Sequence, residues 1–189
     1  MFSGIIEAKA RILESKKWNF TVENIFSENI QVWQSIAHDG ACMTLTEISD
    51  TKYSFFVMEE SLSKTNFQKK KKWDYFNIER CIRANTRIDG HFVSGHIDTS
   101  WEVSYVEKKD DNSLIIWISF PSSFSKYTIE KWSIALNWVS LTIVDKKDWY
   151  ISVSLIPLTQ DWTNLWDIKI WDIINIEFDM LWKYILNTP

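Results

Sequence analysis

The chain contains an internal duplication, and this feature limits its possible folds more than any other. Three blocks of the first half recur in the second half, each 98 residues later. The matching blocks are 35–48 with 133–144, 55–67 with 153–165, and 71–79 with 169–177. The opening pair Ser3-Gly4 matches Ser94-Gly95 at an offset of 91, so one short gap separates the copies. Because a constant offset is hard to obtain by chance, we predict one fold used twice, with function where the copies meet.

Each copy is predicted to be a small closed antiparallel barrel of about 90 residues, which makes the chain all-β. Residues 52–58 alternate and are rich in aromatic side chains, as half-buried strands are. The other predicted strands of the first copy are 1–14, 18–26, 35–48 (two strands joined by a turn at His38-Asp39-Gly40) and 75–82, with a short helical turn over 59–67. The predicted domains are residues 1–90 and 91–189. The joining segment has no Pro- or Ser-rich spacer, so the barrels are expected to lie close together.

Charge and cysteine content exclude several classes of protein. The formal net charge of −4 does not favour nucleic-acid binding through a basic face. The apolar runs are far shorter than a membrane span, and no signal peptide opens the chain. Cys42 and Cys81 are too few for a disulfide framework. We therefore expect a cytoplasmic, reducing setting, with no nucleic-acid or membrane partner.

The balance of tryptophan and glycine is unusual. The chain has 12 Trp and 4 Gly, whereas glycine normally makes up roughly 7% of residues and supplies left-handed turn positions without strain. In the repeat, Gly40 corresponds to Trp138. We hypothesise that most tryptophans stand at glycine positions, because some bacterial codes read UGA as Gly and others as Trp; the alternative is a genuinely tryptophan-rich protein. The positions are Trp33, Trp73, Trp132, Trp138, Trp166, Trp171 and Trp182. A UGG codon at position 138 would contradict the hypothesis, and Trp117, in mid-strand, is interpreted as genuine.

The stretch Arg87–Asp98 (RIDGHFVSGHID) holds two of the three histidines. His91 and His96 are five residues apart and would face opposite sides of a regular strand. No Glu-x-x-His helical spacing is present, so the residues do not indicate a zinc site. From spacing alone, both histidines are better explained as ordinary hydrogen-bonding residues.

Other conspicuous residues also have structural explanations. Cys42 is typical of a small core residue, and Ser140 lacks the Gly-x-Ser-x-Gly context of a hydrolase. Lys69–Lys72 is interpreted as a solvated edge that discourages strand pairing. The repeated triplets Asn77-Ile78-Glu79 and Asn175-Ile176-Glu177 are candidates for a polar anchor that both barrels need.

Seven motifs, in order along nearly the whole chain, resemble riboflavin synthases of the alpha-chain type. They are MFSGIIE, SIAHDGACMTLT, NIERC, GHFVSGHID, NWVSLTI, SLIP and NIEFDMLWKY. MFxGIIE at residue 1 combined with GHFVSGHxD in mid-chain is specific to this family. The chain departs from the family at Ser3, where Thr is usual, and at Trp73, Trp138, Trp171 and Trp182, where the family has Gly.

The resemblance implies two tandem six-stranded antiparallel Greek-key barrels and a short C-terminal helix, assembled as a homotrimer with active sites between subunits. The implied reaction is the dismutation of two molecules of 6,7-dimethyl-8-ribityllumazine. One molecule gives a four-carbon unit to the other, which yields riboflavin and 5-amino-6-ribitylaminouracil. No metal, flavin or nicotinamide is required. Only five residues follow Tyr184, so the final helix is expected to contribute little to a trimer.

The resemblance also assigns site residues. The N-terminal pocket is expected to use Phe2 as a wall together with Gly4, Ile5, Ile6, Cys42, Met43, Thr44, Phe56, Val57, Met58, Glu59, Glu60 and Ser61. Gly95, His96 and Ile97 come from the joining stretch, and the C-terminal pocket is expected to use Lys131, Ser140, Leu141, Thr142, Leu155, Ile156, Pro157, Leu158, Thr159 and Gln160. Further polar positions near the site are Ser35, Asn77, His91 and Asp179.

The reaction explains why such residues are needed. The 7-methyl group of the lumazine is acidic, so a histidine suffices as the base near neutral pH. A nucleophile must add to C7 of the other lumazine, with Ser140, Cys42 or water as candidates, and holding both rings together supplies much of the rate. The catalytic candidates are Cys42, His91, His96, Lys131, Ser140, Thr142 and Asp179.

Two other functions compete with this enzyme. A non-catalytic antenna protein that binds lumazine or flavin would share the fold, but such relatives tend to lose the polar residues of the second pocket, and Lys131, Ser140, Thr142 and Asp179 are all present. A flavin reductase domain is disfavoured because the chain has no nicotinamide-binding half.

Overall fold

Two similar barrels follow one another along the chain. The computed structural model describes residues 1–28 and 30–187. The first barrel contains β1 (Ala8–Lys16), β2 (Asn19–Glu23), β3 (Ser35–His38), β4 (Ala41–Ile48), β5 (Lys52–Phe56) and β6 (Tyr75–Arg80). The second contains β7 (Thr99–Lys108), β8 (Leu114–Ser119), β9 (Ser133–Leu136), β10 (Val139–Lys147), β11 (Tyr150–Leu155) and β12 (Ile173–Phe178). The helices are α1 (Glu59–Lys64), α2 (Pro157–Trp162) and α3 (Met180–Asn187), with 3₁₀ helices at Asn66–Lys69 and Ser122–Tyr127.

Both barrels are closed and have the same strand order. The rings run β1-β2-β5-β4-β3-β6 and β7-β8-β11-β10-β9-β12, and every pairing is antiparallel. Because each ring is closed, every strand pairs with a neighbour on both sides. The predicted fold class, tandem six-stranded Greek-key barrels with a short C-terminal helix, is confirmed. The last two residues of the second predicted domain lie outside the described residues.

The two cores are built from different side chains. The first is aromatic: the rings of Phe20, Phe55, Phe67 and Phe76 pack together, and two of them, Phe55 and Phe76, contact His38. The second is mostly aliphatic, with members such as Ile116, Ile118, Ile134 and Val153. The duplication therefore preserved the pattern of buried positions and not the residues that fill them.

The chain begins with an arm and not with the predicted strand over residues 1–14. The first strand starts at Ala8, and residues 1–7 make a single bridge, between Phe2 and Val93. Gly4 is left-handed (φ 73°), which interrupts an extended strand. The N–H groups of Ser3 and Gly4 are also bonded to a carboxylate and are not available for a sheet ladder.

Most of the gap predicted between the copies lies in two places. The β1–β2 turn has two residues, 17–18, whereas the β7–β8 turn has five, 109–113. The connection from β2 to β3 covers 24–34, and its counterpart from β8 to β9 covers 120–132. Both insertions lie in turns or connections, where extra residues do not disturb strand register.

Four tryptophans have a backbone conformation that suits glycine. Trp33, Trp73, Trp138 and Trp171 have φ between 73° and 81°, close to the values at Gly4 and Gly95. A left-handed conformation costs an L-residue about 1–2 kcal/mol, and it is an outlier for a bulky side chain. The conformation supports the glycine hypothesis at these four positions. The backbone gives no such support at Trp132, Trp166 and Trp182, which do not have positive φ.

A buried polar seam joins the barrels. Asn77 on β6 accepts a hydrogen bond from the Asn164 backbone N–H (2.7 Å), and Asn175 on β12 accepts the equivalent bond from the Asn66 N–H (2.6 Å). Each side-chain amide donates to a hairpin carbonyl of the opposite barrel, Asn77 to Asn137 O and Asn175 to Asp39 O, both at 2.8 Å. The repeated asparagines thus form the polar anchor considered from the sequence.

One residue of the lysine run lies in this seam. Lys70 contacts the fully buried carboxylate of Asp39 at 2.6 Å and donates to Tyr75 O at 2.7 Å. The prediction that Lys69–Lys72 is a solvated edge is therefore wrong for Lys70. Its ammonium instead neutralises a charge that would be costly to bury alone.

Candidate active site

The predicted site residues form two patches that are related by the repeat. The first patch consists of segments 42–44, 56–61 and 95–97, and the second consists of 4–6, 140–142 and 155–160. Pairing of β4 with β5 brings segment 42–44 beside segment 56–61, and pairing of β10 with β11 brings segment 140–142 beside segment 155–160. The assignment of these segments to substrate pockets stays a prediction.

The two opening segments are exchanged between the barrels. Gly95, which precedes the second barrel, accepts a hydrogen bond from Cys42 N of the first barrel at 2.9 Å. Gly4, which precedes the first barrel, accepts one from Ser140 N of the second at 2.8 Å. The assignment of Gly4, Ile5 and Ile6 to the N-terminal pocket is therefore wrong, because this arm completes the second patch.

Both contacts require glycine. A Cβ atom at Gly95 would approach the Cys42 Cβ to 2.5 Å, and one at Gly4 would approach the Ser140 Cβ to 2.9 Å. Both residues also have a positive φ, which disfavours other side chains. The Ser-Gly pair repeated in the sequence thus marks the point where each arm crosses to the opposite barrel.

A serine and a histidine form a hydrogen-bonded pair in the second patch. His91 Nδ1 lies 2.7 Å from Ser140 Oγ. Burial lowers the pKa of His91, with the charge of Asp179 opposing the shift, so the imidazole is neutral at neutral pH. His91 Nε2 is buried and has no hydrogen-bond partner among the described residues. A neutral imidazole next to a hydroxyl is suited to take the proton from that hydroxyl.

The thiol of the first patch has a different environment. Cys42 corresponds to Ser140 in the repeat and is partly buried. Burial raises the pKa of Cys42, and the side chain of Ser35 only partly offsets this. Because the thiolate is the reactive form, this shift makes Cys42 less reactive than an exposed thiol. The two patches therefore share a shape but differ in chemistry.

The remaining catalytic candidates are dispersed around the patches. His96 and Thr142 have exposed side chains. Lys131 lies in the turn before β9, with positive φ and its ammonium 3.4 Å from Val144 O. Asp179 is buried and accepts a hydrogen bond from Leu181 N at the start of α3. Asn77 is fully buried in the seam, where its side-chain groups bond to the other barrel.

Large apolar side chains project from both patches. Phe56 and Met58 are 51% and 62% exposed in the first patch, and Ile156 and Leu158 are 56% and 62% exposed in the second. Such side chains are suited to cover a flat heteroaromatic ring. The patches are open surfaces and not enclosed cavities within the described part of one chain.

Two glutamates hold the arms and were not predicted as site residues. Glu79 accepts three hydrogen bonds from Ser3 and Gly4, and Glu177 accepts four from Ser94, Gly95 and His96. The signal was present in the repeated Asn-Ile-Glu triplet, but nothing in the sequence shows which backbone the carboxylates contact.

No helix among the described residues is long and apolar enough to cross a bilayer. No group of three or more His, Cys, Asp or Glu side chains within residues 1–28 and 30–187 is placed to hold a metal ion.

The chain is similar in sequence to proteins of one family. The lumazine binding domain family matches residues 3–81 and 94–179. Riboflavin synthase of Actinobacillus pleuropneumoniae is 37% identical over 98% of this chain and 88% of its own length. The riboflavin synthase of Escherichia coli (strain K12) is 32% identical over 100% of this chain and 91% of its own length. The riboflavin synthase of Schizosaccharomyces pombe is 34% identical over 97% of this chain and 91% of its own length.

Solved structures with the same fold are more distant in sequence. LumP complexed with 6,7-dimethyl-8-(1'-D-ribityl) lumazine has a TM-score of 0.84 at 20% identity, covering 94% of this chain and 99% of LumP. LumP complexed with riboflavin has a TM-score of 0.86, with the same identity and coverage. At this identity the likeness concerns the fold. With both of its barrels matched as lumazine binding domains and with full-length riboflavin synthases among its relatives, the chain belongs to the riboflavin synthase family.

Proposed function

We propose that the protein is a riboflavin synthase that dismutates two molecules of 6,7-dimethyl-8-ribityllumazine into riboflavin and 5-amino-6-ribitylaminouracil. The observation that carries this proposal is the chemical difference between two patches of the same shape. A reaction that uses two copies of one substrate needs two similar binding surfaces, and it needs them to treat the two copies differently. The Ser140–His91 pair, present on the second patch, provides that difference.

The pair suits the molecule that gives up the four-carbon unit. In the proposed step, Ser140 Oγ adds to C7 of the donor lumazine while His91 takes the hydroxyl proton. The first patch binds the acceptor lumazine, whose 7-methyl group loses a proton. His96, exposed next to Gly95, is the candidate base for that proton.

We further propose that the first patch of one subunit meets the second patch of another, as in the homotrimer that the family resemblance implies. The exposed apolar side chains of the two patches support this arrangement, because a second subunit would bury them along with the rings. Light scattering combined with size exclusion tests the oligomer, and a stable, active monomer would contradict it.

The experiment for the proposed reaction is direct. Purified protein is mixed with 6,7-dimethyl-8-ribityllumazine, and riboflavin absorbance is followed over time. One riboflavin should appear for every two lumazines consumed, without added metal or cofactor. Tight binding without turnover would refute the enzyme and favour the non-catalytic antenna protein. The variant Ser140→Ala serves as the matched control, since it should bind lumazine but form riboflavin about 100-fold more slowly or less.

A further inference from the structure

We infer that Glu79 and Glu177 are positioning residues, each of which sets the geometry of the patch on the barrel opposite to its own. The inference rests on the proposed function and deepens it. It assigns a role in the reaction to two buried carboxylates that act through the backbone of the two arms. The role follows from the hydrogen bonds that each carboxylate accepts.

Glu79 belongs to β6 of the first barrel and holds the N-terminal arm. Its Oε1 accepts from Ser3 N at 2.8 Å and from Ser3 Oγ at 2.6 Å, and its Oε2 accepts from Gly4 N at 2.9 Å. The carboxylate is almost completely buried, and burial raises its pKa while these hydrogen bonds lower it. Three donors that converge on one carboxylate fix the arm in a single position.

The arm carries this position to the second barrel. The carbonyl oxygen of Ser3 accepts from His91 N at 3.1 Å, and that of Gly4 accepts from Ser140 N at 2.8 Å. Glu79 therefore acts on both members of the Ser140–His91 pair through two adjacent peptide groups. A shift of the arm would change the 2.7 Å contact between the imidazole and the hydroxyl.

Glu177 makes the repeat-related arrangement with a different consequence. Its carboxylate accepts from Ser94 N (2.6 Å), Ser94 Oγ (2.7 Å) and Gly95 N (3.0 Å). The carbonyl oxygen of Gly95 then accepts from Cys42 N. Glu177 thus positions the first patch, where no serine–histidine pair is present among the described residues.

The role does not depend on Trp138. The indole of Trp138 donates to Glu79 Oε2 at 2.6 Å, at a position where the backbone suits glycine. Glu177 holds its own arm through bonds of the same kind with no indole donor. Removing the indole would therefore leave the three bonds from Ser3 and Gly4 in place.

The variants Glu79→Gln and Glu177→Gln test the inference. An amide places an NH₂ donor where the carboxylate only accepts, so at least one N–H of the arm loses its partner. We expect Glu79→Gln to lower kcat by about 100-fold, because small misplacements of reacting groups have effects of this size. KM should change little. The pH dependence of kcat, which His91 sets, should move. Glu177→Gln should instead raise KM and leave that pH dependence in place.

Double-variant cycles separate positioning from general damage to the fold. The loss of activity caused by Glu79→Gln should be coupled to that of Ser140→Ala and additive with that of Cys42→Ala. The loss caused by Glu177→Gln should be coupled to Cys42→Ala and additive with Ser140→Ala. Glu28→Gln is the matched control, because Glu28 is an exposed carboxylate that pairs with Arg80 and Arg83 and contacts neither arm. If the glutamine variants do not fold, Ser3→Ala and Ser94→Ala, which each remove one bond to the carboxylate, replace them.

The outcomes are distinct. Additivity in all four cycles, or equal coupling of each glutamate to both patches, overturns the inference. If the wild-type chain binds lumazine without turnover, the proposed reaction fails, but the same cycles measured on lumazine Kd still decide the positioning role. A wild-type chain that neither binds nor converts lumazine refutes both.

Discussion

His38 makes the first barrel sensitive to acid. Replacing His38 and its partner Tyr53 with residues that do not titrate should remove that sensitivity. The imidazole is fully buried, with Nε2 2.9 Å from the Tyr53 hydroxyl and Nδ1 3.1 Å from Ile36 O. Burial lowers the pKa of His38 to about 3, and the bond to Ile36 opposes this only weakly. The repeat-related positions in the second barrel hold Leu136 and Ile151, which do not titrate.

The magnitude follows from linkage. A base whose pKa falls on folding stabilises the protein above its unfolded pKa and loses that contribution as the pH drops toward the folded value. For His38 the window runs from pH 6.5 down to about 3. Each pH unit well inside it removes about 1.4 kcal/mol. The free energy of unfolding should therefore fall by about 2 kcal/mol between pH 7.5 and pH 5 because of this residue.

The test compares wild type with the double variant His38→Leu/Tyr53→Phe, which also avoids leaving a buried hydroxyl unpaired. Urea unfolding at pH 7.5 and pH 5 should show that the double variant loses about 2 kcal/mol less than wild type. Glu79 and Glu177, whose pKa values are raised by burial, titrate in both proteins and cancel in the comparison. The single variant Tyr53→Phe, which retains His38, should lose as much free energy of unfolding on acidification as wild type does. An equal loss in wild type and double variant would refute the reasoning.

Three further predictions address the backbone, the patches and the reaction. Trp171→Gly should raise the free energy of unfolding by about 1–2 kcal/mol, because glycine adopts the left-handed conformation without the strain of an L-residue. Trp117→Gly, in the middle of a strand, should lower the free energy of unfolding. Urea unfolding measures both, and a loss of stability in Trp171→Gly would contradict the glycine hypothesis. Gly95→Ala should weaken lumazine binding at the first patch, because a Cβ there would meet Cys42 at 2.5 Å; fluorescence titration measures this, and unchanged affinity would show that the arm can move away. Ser140→Ala should lower kcat by about 100-fold or more with little change in KM, and steady-state kinetics showing full activity would remove Ser140 from the mechanism.

Much of the fold follows from local patterns. The strand over 52–58, the helical turn over 59–67 and the hairpin at His38-Asp39-Gly40 appear close to their predicted bounds as β5, α1 and the β3–β4 turn. Asp39 and Gly40 both have positive φ, as a tight hairpin turn requires. These features depend on neighbouring residues and on the alternation of apolar side chains, so one sequence is enough to identify them.

The site was predicted only in part. The segments around Cys42 and Ser140 were assigned because their motifs resemble those of the family. The placement of Gly4 could not be predicted, because it depends on a contact with Ser140 in the other barrel. Lys70 was misjudged because the carboxylate that pairs with it, Asp39, comes from a turn that is distant in the sequence.

The sequence alone determined that the chain is a duplicated barrel, because the 98-residue offset, the alternating strands and the Ser-Gly pairs are all patterns that can be read from the order of the residues. Only the tertiary structure decided how the two copies serve each other. Each arm is held by a glutamate of its own copy, 76 residues away at Ser3 and 83 at Ser94, and then delivers its glycine to the opposite barrel. Hydrogen bonds between a side chain and a distant backbone leave no periodic trace in a sequence, so the exchange of arms becomes visible only when both barrels are folded.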